Sequence, residues 1–108
     1  MNDRHLPRQA LIDSYGDGGF RFAGLSHRGS LLSLPDGIWA WRIDTASALT
    51  DEALAPVFER AGTLDFFILG TGSDPWAVPE AWRTRFRSAQ VSFDAMTTNA
   101  AVRTYNVM

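Results

Sequence analysis

The chain has 108 residues, 45% of them hydrophobic and 20% charged, with a formal net charge of −2. It contains no cysteine, which excludes a disulfide framework, a thiol nucleophile, a Cys zinc site and an iron–sulfur cluster. All ten basic side chains are arginine, so P-loop lysine and Schiff-base chemistry are excluded as well. The length suits one domain that hides about two-thirds of its unfolded surface. A slightly acidic chain offers no broad basic face for nucleic acid. No apolar run approaches the roughly 20 residues of a membrane span. The segment Met1 to Ala10 has no signal-peptide core, and the expectation is a cytoplasmic protein with no membrane insertion.

The first third reads as strands and tight turns. Ala10 to Tyr15 is a short apolar segment, and Gly16-Asp17-Gly18-Gly19 turns the chain. Phe20 and Phe22 alternate with Arg21 and Ala23, the period of a half-buried strand. Ser30 to Leu34 is a further strand, closed by a turn at Pro35-Asp36-Gly37, and Ile38 to Ile43 returns as the second arm of a hairpin. On that arm Trp39, Trp41 and Ile43 share one face.

Helical spacing follows. Thr50 can cap a helix whose first turn carries Asp51 and Glu52, a placement the helix dipole favours. Leu54, Val57, Phe58 and Ala61 then form an apolar stripe, and Gly62 is a natural stop. Pro56 either bends this helix or marks a later start. Leu64 to Leu69 is apolar on both faces apart from Asp65, the pattern of a covered central strand. It runs into the loop Gly70-Thr71-Gly72-Ser73. Pro79 suits the first position of a second helix, with Trp82, Arg85, Phe86 and Ala89 at helical spacing and Trp82 and Phe86 inward. Gln90 to Ala95 reads as a strand, and Thr97 or Thr98 caps a last helix with Ala101, Val102, Tyr105 and Met108 on one face. Strand and helix alternating after a meander predict a mixed sheet with packed helices.

Four segments together resemble the Mth938-like family, also known as domain of unknown function 498. They are Ile12-Asp13-Ser14-Tyr15 with Gly18-Gly19-Phe20-Arg21-Phe22, then Leu34-Pro35-Asp36-Gly37, then Phe67-Ile68-Leu69-Gly70-Thr71-Gly72, and last Met96 to Val107. The Gly-Thr-Gly loop followed by the Ala-Ala-x-Arg-Thr-Tyr-Asn helix is the most specific pairing. The resemblance implies a three-layer α/β fold on a mixed central sheet over residues 1–108. It also implies a functional neighbourhood, because mitochondrial relatives include assembly factor 3 of NADH dehydrogenase, which binds partner proteins and has no established catalysis. Some bacterial relatives are encoded near protein-export genes. Family members usually continue past the Thr-Tyr-Asn helix into a final apolar strand, which the residues up to Met108 do not show; without it a neighbouring strand is an open edge.

Each candidate residue has two readings. Gly70, Thr71 and Gly72 are either a tight turn or a small-ligand loop at a strand's carboxyl end. Arg103 and Asn106, three apart on the last helix, either complete an anionic site with that loop or tie the helix to its surroundings. Trp39 and Trp41 are either core or, if exposed, a protein-binding hot spot. In Trp82-Arg83-Thr84-Arg85-Phe86-Arg87, Arg83 and Arg87 share a solvated flank. His27 has no partner in sequence from which to build a metal site, and no metal or cofactor is expected. Asp65, placed in a buried strand, needs a hydrogen-bond partner. The leading expectation is a non-enzymatic module that binds a protein partner during assembly or export of a membrane complex. The alternative is a small-molecule or anion-binding domain, or a weak enzyme, using the Gly-Thr-Gly loop with Arg103 and Asn106.

Overall fold

Short turns shape the first part of the chain, and a computed structural model describes residues 4–108. Strand β1 (Arg4–Leu6) is followed by β2 (Ser14–Gly16), β3 (Gly19–Phe22) and β4 (Leu25–Arg28). The last three form an antiparallel meander joined by Asp17-Gly18 and Ala23-Gly24. All four turn residues have positive φ, at 52°, 74°, 50° and 77°. That backbone matches the right-handed twist of the strands it joins, which is why two-residue hairpin turns favour it. Ala23 adopts it without glycine's freedom. The expectation of Phe20–Phe22 as a strand holds, whereas β1 and β4 had no apolar alternation to reveal them; Leu25 is 41% exposed.

Strands β5 (Ser30–Leu34) and β6 (Gly37–Trp41) are the expected hairpin, turning at Pro35-Asp36. Their register runs from Leu34 opposite Gly37 to Ser30 opposite Trp41. Strand β1 pairs with the other edge of β6, giving the order β1-β6-β5. A side chain at Gly37 would meet the Leu6 carbonyl oxygen at 2.5 Å, so this crossing requires glycine. Phe22, Leu32, Leu34, Ile38 and Trp39 are buried.

The chain divides into two compact units between Asp44 and Thr45. In the second unit, α1 (Asp51–Glu59) begins as expected at Thr50, whose hydroxyl oxygen accepts from the Ala53 amide at 3.1 Å. The helix runs through Pro56, which leaves the Glu52 carbonyl without its usual partner four residues on. Leu54 and Val57 are fully buried. Strand β7 (Phe66–Gly70) and β8 (Ser92–Met96) pair in parallel, with α2 (Glu80–Ser88) between them in sequence and α3 (Thr98–Val107) after them.

Phe86 of α2 stacks on Phe67 at 5.5 Å and on Phe93 at 4.5 Å. Gly70, of opposite parity to Phe67 along β7, lies against Thr98 and Ala101 of α3. Successive residues of a strand face opposite sides, so α2 and α3 cover opposite faces of the pair. Within this unit the result is three layers: helix, sheet, helix. The protein is therefore of the expected α/β class. Both pairing senses of the expected mixed sheet are present, carried among the described residues by two antiparallel three-stranded ladders and one parallel pair.

Several local readings are corrected. Asp65 precedes β7 and is exposed, so it is not a buried strand carboxylate. Pro79 is the residue before the first helical position of α2, not the first position itself. Gln90 lies outside β8 at φ 60° and ends α2. Its amide donates to the Arg87 carbonyl, and the Val91 amide donates to the Phe86 carbonyl, both at 3.0 Å. These paired bonds, with Val91 and Phe86 both buried, are a Schellman ending.

Candidate functional site

The loop after β7 is fastened to the start of α3. The Gly72 amide donates to Thr98 Oγ1 at 2.8 Å, and the Thr98 amide donates back to the Gly72 carbonyl at 2.9 Å. The Thr71 amide donates to the Met96 carbonyl at 2.8 Å, and its hydroxyl donates to the Asp74 carbonyl at 2.8 Å. The donors of Thr71 and Gly72 are thus engaged within the fold. Gly70 permits the approach, since a side chain there would meet Thr98 Cα at 3.2 Å. Gly72 supplies φ 84°.

Arg103 and Asn106 lie five and eight residues beyond Thr98 on α3. At a rise of 1.5 Å per residue they stand about 7.5 and 12 Å along the axis from the loop's anchor. Arg103 is exposed and makes no hydrogen bond or ion pair among the described residues; Asn106 is half-buried and engaged. The structure brings the loop together with Thr98, a residue the sequence reading assigned only to helix capping. Trp39 is 4% exposed, with the Arg4 guanidinium 5.9 Å from its ring, so the ring is core and offers no surface. Trp41 is half-buried.

His27 does have a partner, His5, on a strand of the other three-stranded sheet. His5 Nε2 lies 3.1 Å from His27 Nδ1, while His27 Nε2 lies 3.1 Å from the Ser30 carbonyl oxygen. A carbonyl can only accept, so His27 donates to Ser30 from Nε2, and in the neutral ring its Nδ1 is then the acceptor facing His5. The two histidines are 22 residues apart on β1 and β4, a relation no spacing rule shows. Among the described residues no group of three or more His, Asp or Glu side chains could hold a metal ion.

The parallel pair also leaves an outer edge on β8. The Ser92 amide donates toward β7, to Asp65, and the Met96 carbonyl accepts from Thr71. Parallel ladders alternate, so Ser92, Asp94 and Met96 face β7 with both backbone groups while Phe93 and Ala95 face away. No third strand pairs with β8 among the described residues. The Ala95 amide is taken by the Asp94 carboxylate at 2.9 Å. Beside this edge lies a groove of about 490 Å³, lined by Arg83, Phe86 and Arg87 of α2, the Gln90-Val91 turn, and Ser92 and Phe93 of β8. The Arg83 guanidinium sits 5.7 Å from the centre of the Phe93 ring. Arg83 and Arg87 read in sequence as a solvated flank; they are the cationic wall of a groove. Their four-residue spacing ahead of an aromatic strand was the available signal.

An α/β domain with a helix–sheet–helix unit, whose β8 has no second strand partner among the described residues, is the class these features define. Residues 12–108 match the profile of a protein family of unknown function, DUF498/DUF598, and the chain belongs to that family. It is 34% identical over 97 residues to an uncharacterised protein of Rhodobacter capsulatus, an alignment covering 90% of this chain and 73% of that one. Among solved structures it is similar to a Bartonella henselae protein described as an outer membrane protein. There the identity is 42% and the TM-score 0.86, over 95% of this chain and 86% of the other. A Rhodopseudomonas palustris protein solved by NMR is 45% identical with a TM-score of 0.86, over 100% of this chain and 80% of the other. No helix among the described residues is long and apolar enough to cross a membrane.

Proposed function

We propose that this protein is a non-enzymatic interaction module that binds a protein partner during assembly or export of a membrane complex. The observation that carries this reading is the outer edge of β8, whose Phe93 backbone groups have no strand partner among the described residues. Unpaired strand edges are templates for another chain, and many recognition domains use them that way. The commitment of the Thr71 and Gly72 donors to Met96 and Thr98 supports the loop as a structural clasp rather than a ligand cradle. A membrane setting draws support from the Bartonella henselae relative's description as an outer membrane protein. It draws support also from the resemblance to the NADH dehydrogenase assembly factor.

The test uses the purified chain as bait in detergent-solubilised lysate of its own cells, with retained proteins identified by mass spectrometry. The control bait carries Ala95→Pro. The amide that proline removes faces away from β7, so the ladder to β7 is kept, while the ring projecting from the outer edge obstructs an incoming strand. Subunits of a membrane complex should be retained by the native bait and lost with the control. Retention of no such subunit would contradict the reading.

A further inference from the structure

We propose that the groove between α2 and β8 binds an extended acidic peptide segment, which adds as a third strand to the outer edge of β8. A groove between a helix and an edge strand accepts a peptide in a definite way. Main-chain hydrogen bonds to the edge fix the register, and alternate side chains enter the groove. Here Phe93 supplies an outward amide and carbonyl, and the Ala95 carbonyl a second acceptor. Asp94 already holds the Ala95 amide, which keeps the pairing short and centred on Phe93.

Charge selects the occupant. Arg83 and Arg87 stand on the groove wall in a chain of net charge −2. Arg83 is half-buried, leans on Phe93, and has no ion pair among the described residues. Its head is therefore held in place before any ligand arrives. Among the described residues the Arg87 guanidinium is bound only to Glu80, at 3.4 Å with both side chains largely exposed, and exposed pairs of that kind exchange readily. Geometry sets the spacing. Residues four apart on a helix are about 6 Å apart along its axis. Alternate residues of a strand are about 6.6 Å apart. Two acidic residues at positions i and i+2 of an added strand thus meet Arg83 and Arg87. The residue between them points to the opposite face, the side on which Asp94 lies, and should be neutral or basic. The groove and both arginines lie against β8, so β8 is the edge chosen.

This site rests on the interaction reading above and can fail without it. The experiment selects random nine-residue displayed peptides on the full chain. Synthetic winners are then titrated by fluorescence anisotropy and mapped by amide and arginine Nε NMR shifts. Winners should carry acidic residues at alternate positions, shift Phe93, Asp94, Ala95 and the Arg83 side chain, and weaken with added salt. Arg87→Gln, an exposed change that leaves the core intact, should weaken binding severalfold, and Arg83→Gln with Arg87→Gln about tenfold. Methylating the peptide's alternate backbone amides should abolish binding. Winners that bind the double variant as tightly, that shift residues elsewhere, or that survive amide methylation overturn the groove while leaving the interaction reading standing. Enrichment without acidic residues, or no enrichment, overturns it too, and the lysate experiment then judges the wider reading alone.

Discussion

The two units of this chain satisfy their backbones in different ways. In residues 4–44 every strand is antiparallel, and the meander and the β5–β6 hairpin close through two-residue turns. In the meander and the hairpin pairing is local, with neighbouring strands finishing one another's hydrogen bonds within a few residues; β1, paired with β6, is the one distant addition among the described residues. In residues 45–108 the two strands run in parallel, and Phe66 pairs with Ser92, 26 positions further along the chain. A parallel connection needs a helix to return the chain, and the helix leaves a concave seam beside the strand it feeds. The seam between α2 and β8 collects two arginines, an aromatic ring and an unpaired edge. Local pairing joins strands through tight turns, whereas the long crossover sets a helix beside a strand edge and makes a place where something else can bind.

The largest expected effect sharpens this contrast on the crossover side. Phe86 is 1% exposed and stacks with Phe58, Phe67 and Phe93, joining α1, α2 and the parallel pair. Phe86→Ala should cost about 3–5 kcal/mol, read by urea unfolding. On the antiparallel side the sensitive point is a crossing of backbones rather than a ring. Gly37→Ala should cost about 1–3 kcal/mol by forcing β1 away from β6. NMR should show the loss of β1–β6 cross-strand contacts.

Thr98→Val tests the clasp between the loop after β7 and the start of α3. Valine keeps the shape and removes the oxygen that accepts the Gly72 amide, leaving a part-buried donor without a partner. The expected loss is about 1–3 kcal/mol, with faster hydrogen exchange at Gly72. A change well below that range would mean that solvent replaces the hydroxyl and that the loop is open to ligands after all. The smallest effects are gains. Gln90→Gly and Ala23→Gly each relieve a positive φ, one in each unit, and should each add about 0.5 kcal/mol in the same unfolding experiment.

What could be read in the sequence follows the same division of local from distant. Pro35-Asp36-Gly37 announces a hairpin because turn chemistry lies in adjacent residues. Thr50 with Asp51 and Glu52 announces a helix start for the same reason. The Gly-Thr-Gly loop was legible as a tight turn, but its fastening to Thr98, 26 residues on, was not. Asp65 looked buried because its neighbours are apolar, yet it falls just before the strand, where a one-residue shift changes the face. Pairings such as His5 with His27, and Arg83 with Phe93, arise from how elements are laid side by side. No period or spacing within one element carries that information.

The unpaired edge of β8 can be examined amide by amide, using hydrogen exchange followed by NMR on the free protein. The Ser92 and Asp94 amides face β7 and should be strongly protected, while the Phe93 amide between them should exchange far faster. Protection of Phe93 equal to that of Asp94 would mean that the edge is already occupied in the free protein, and it would contradict the account.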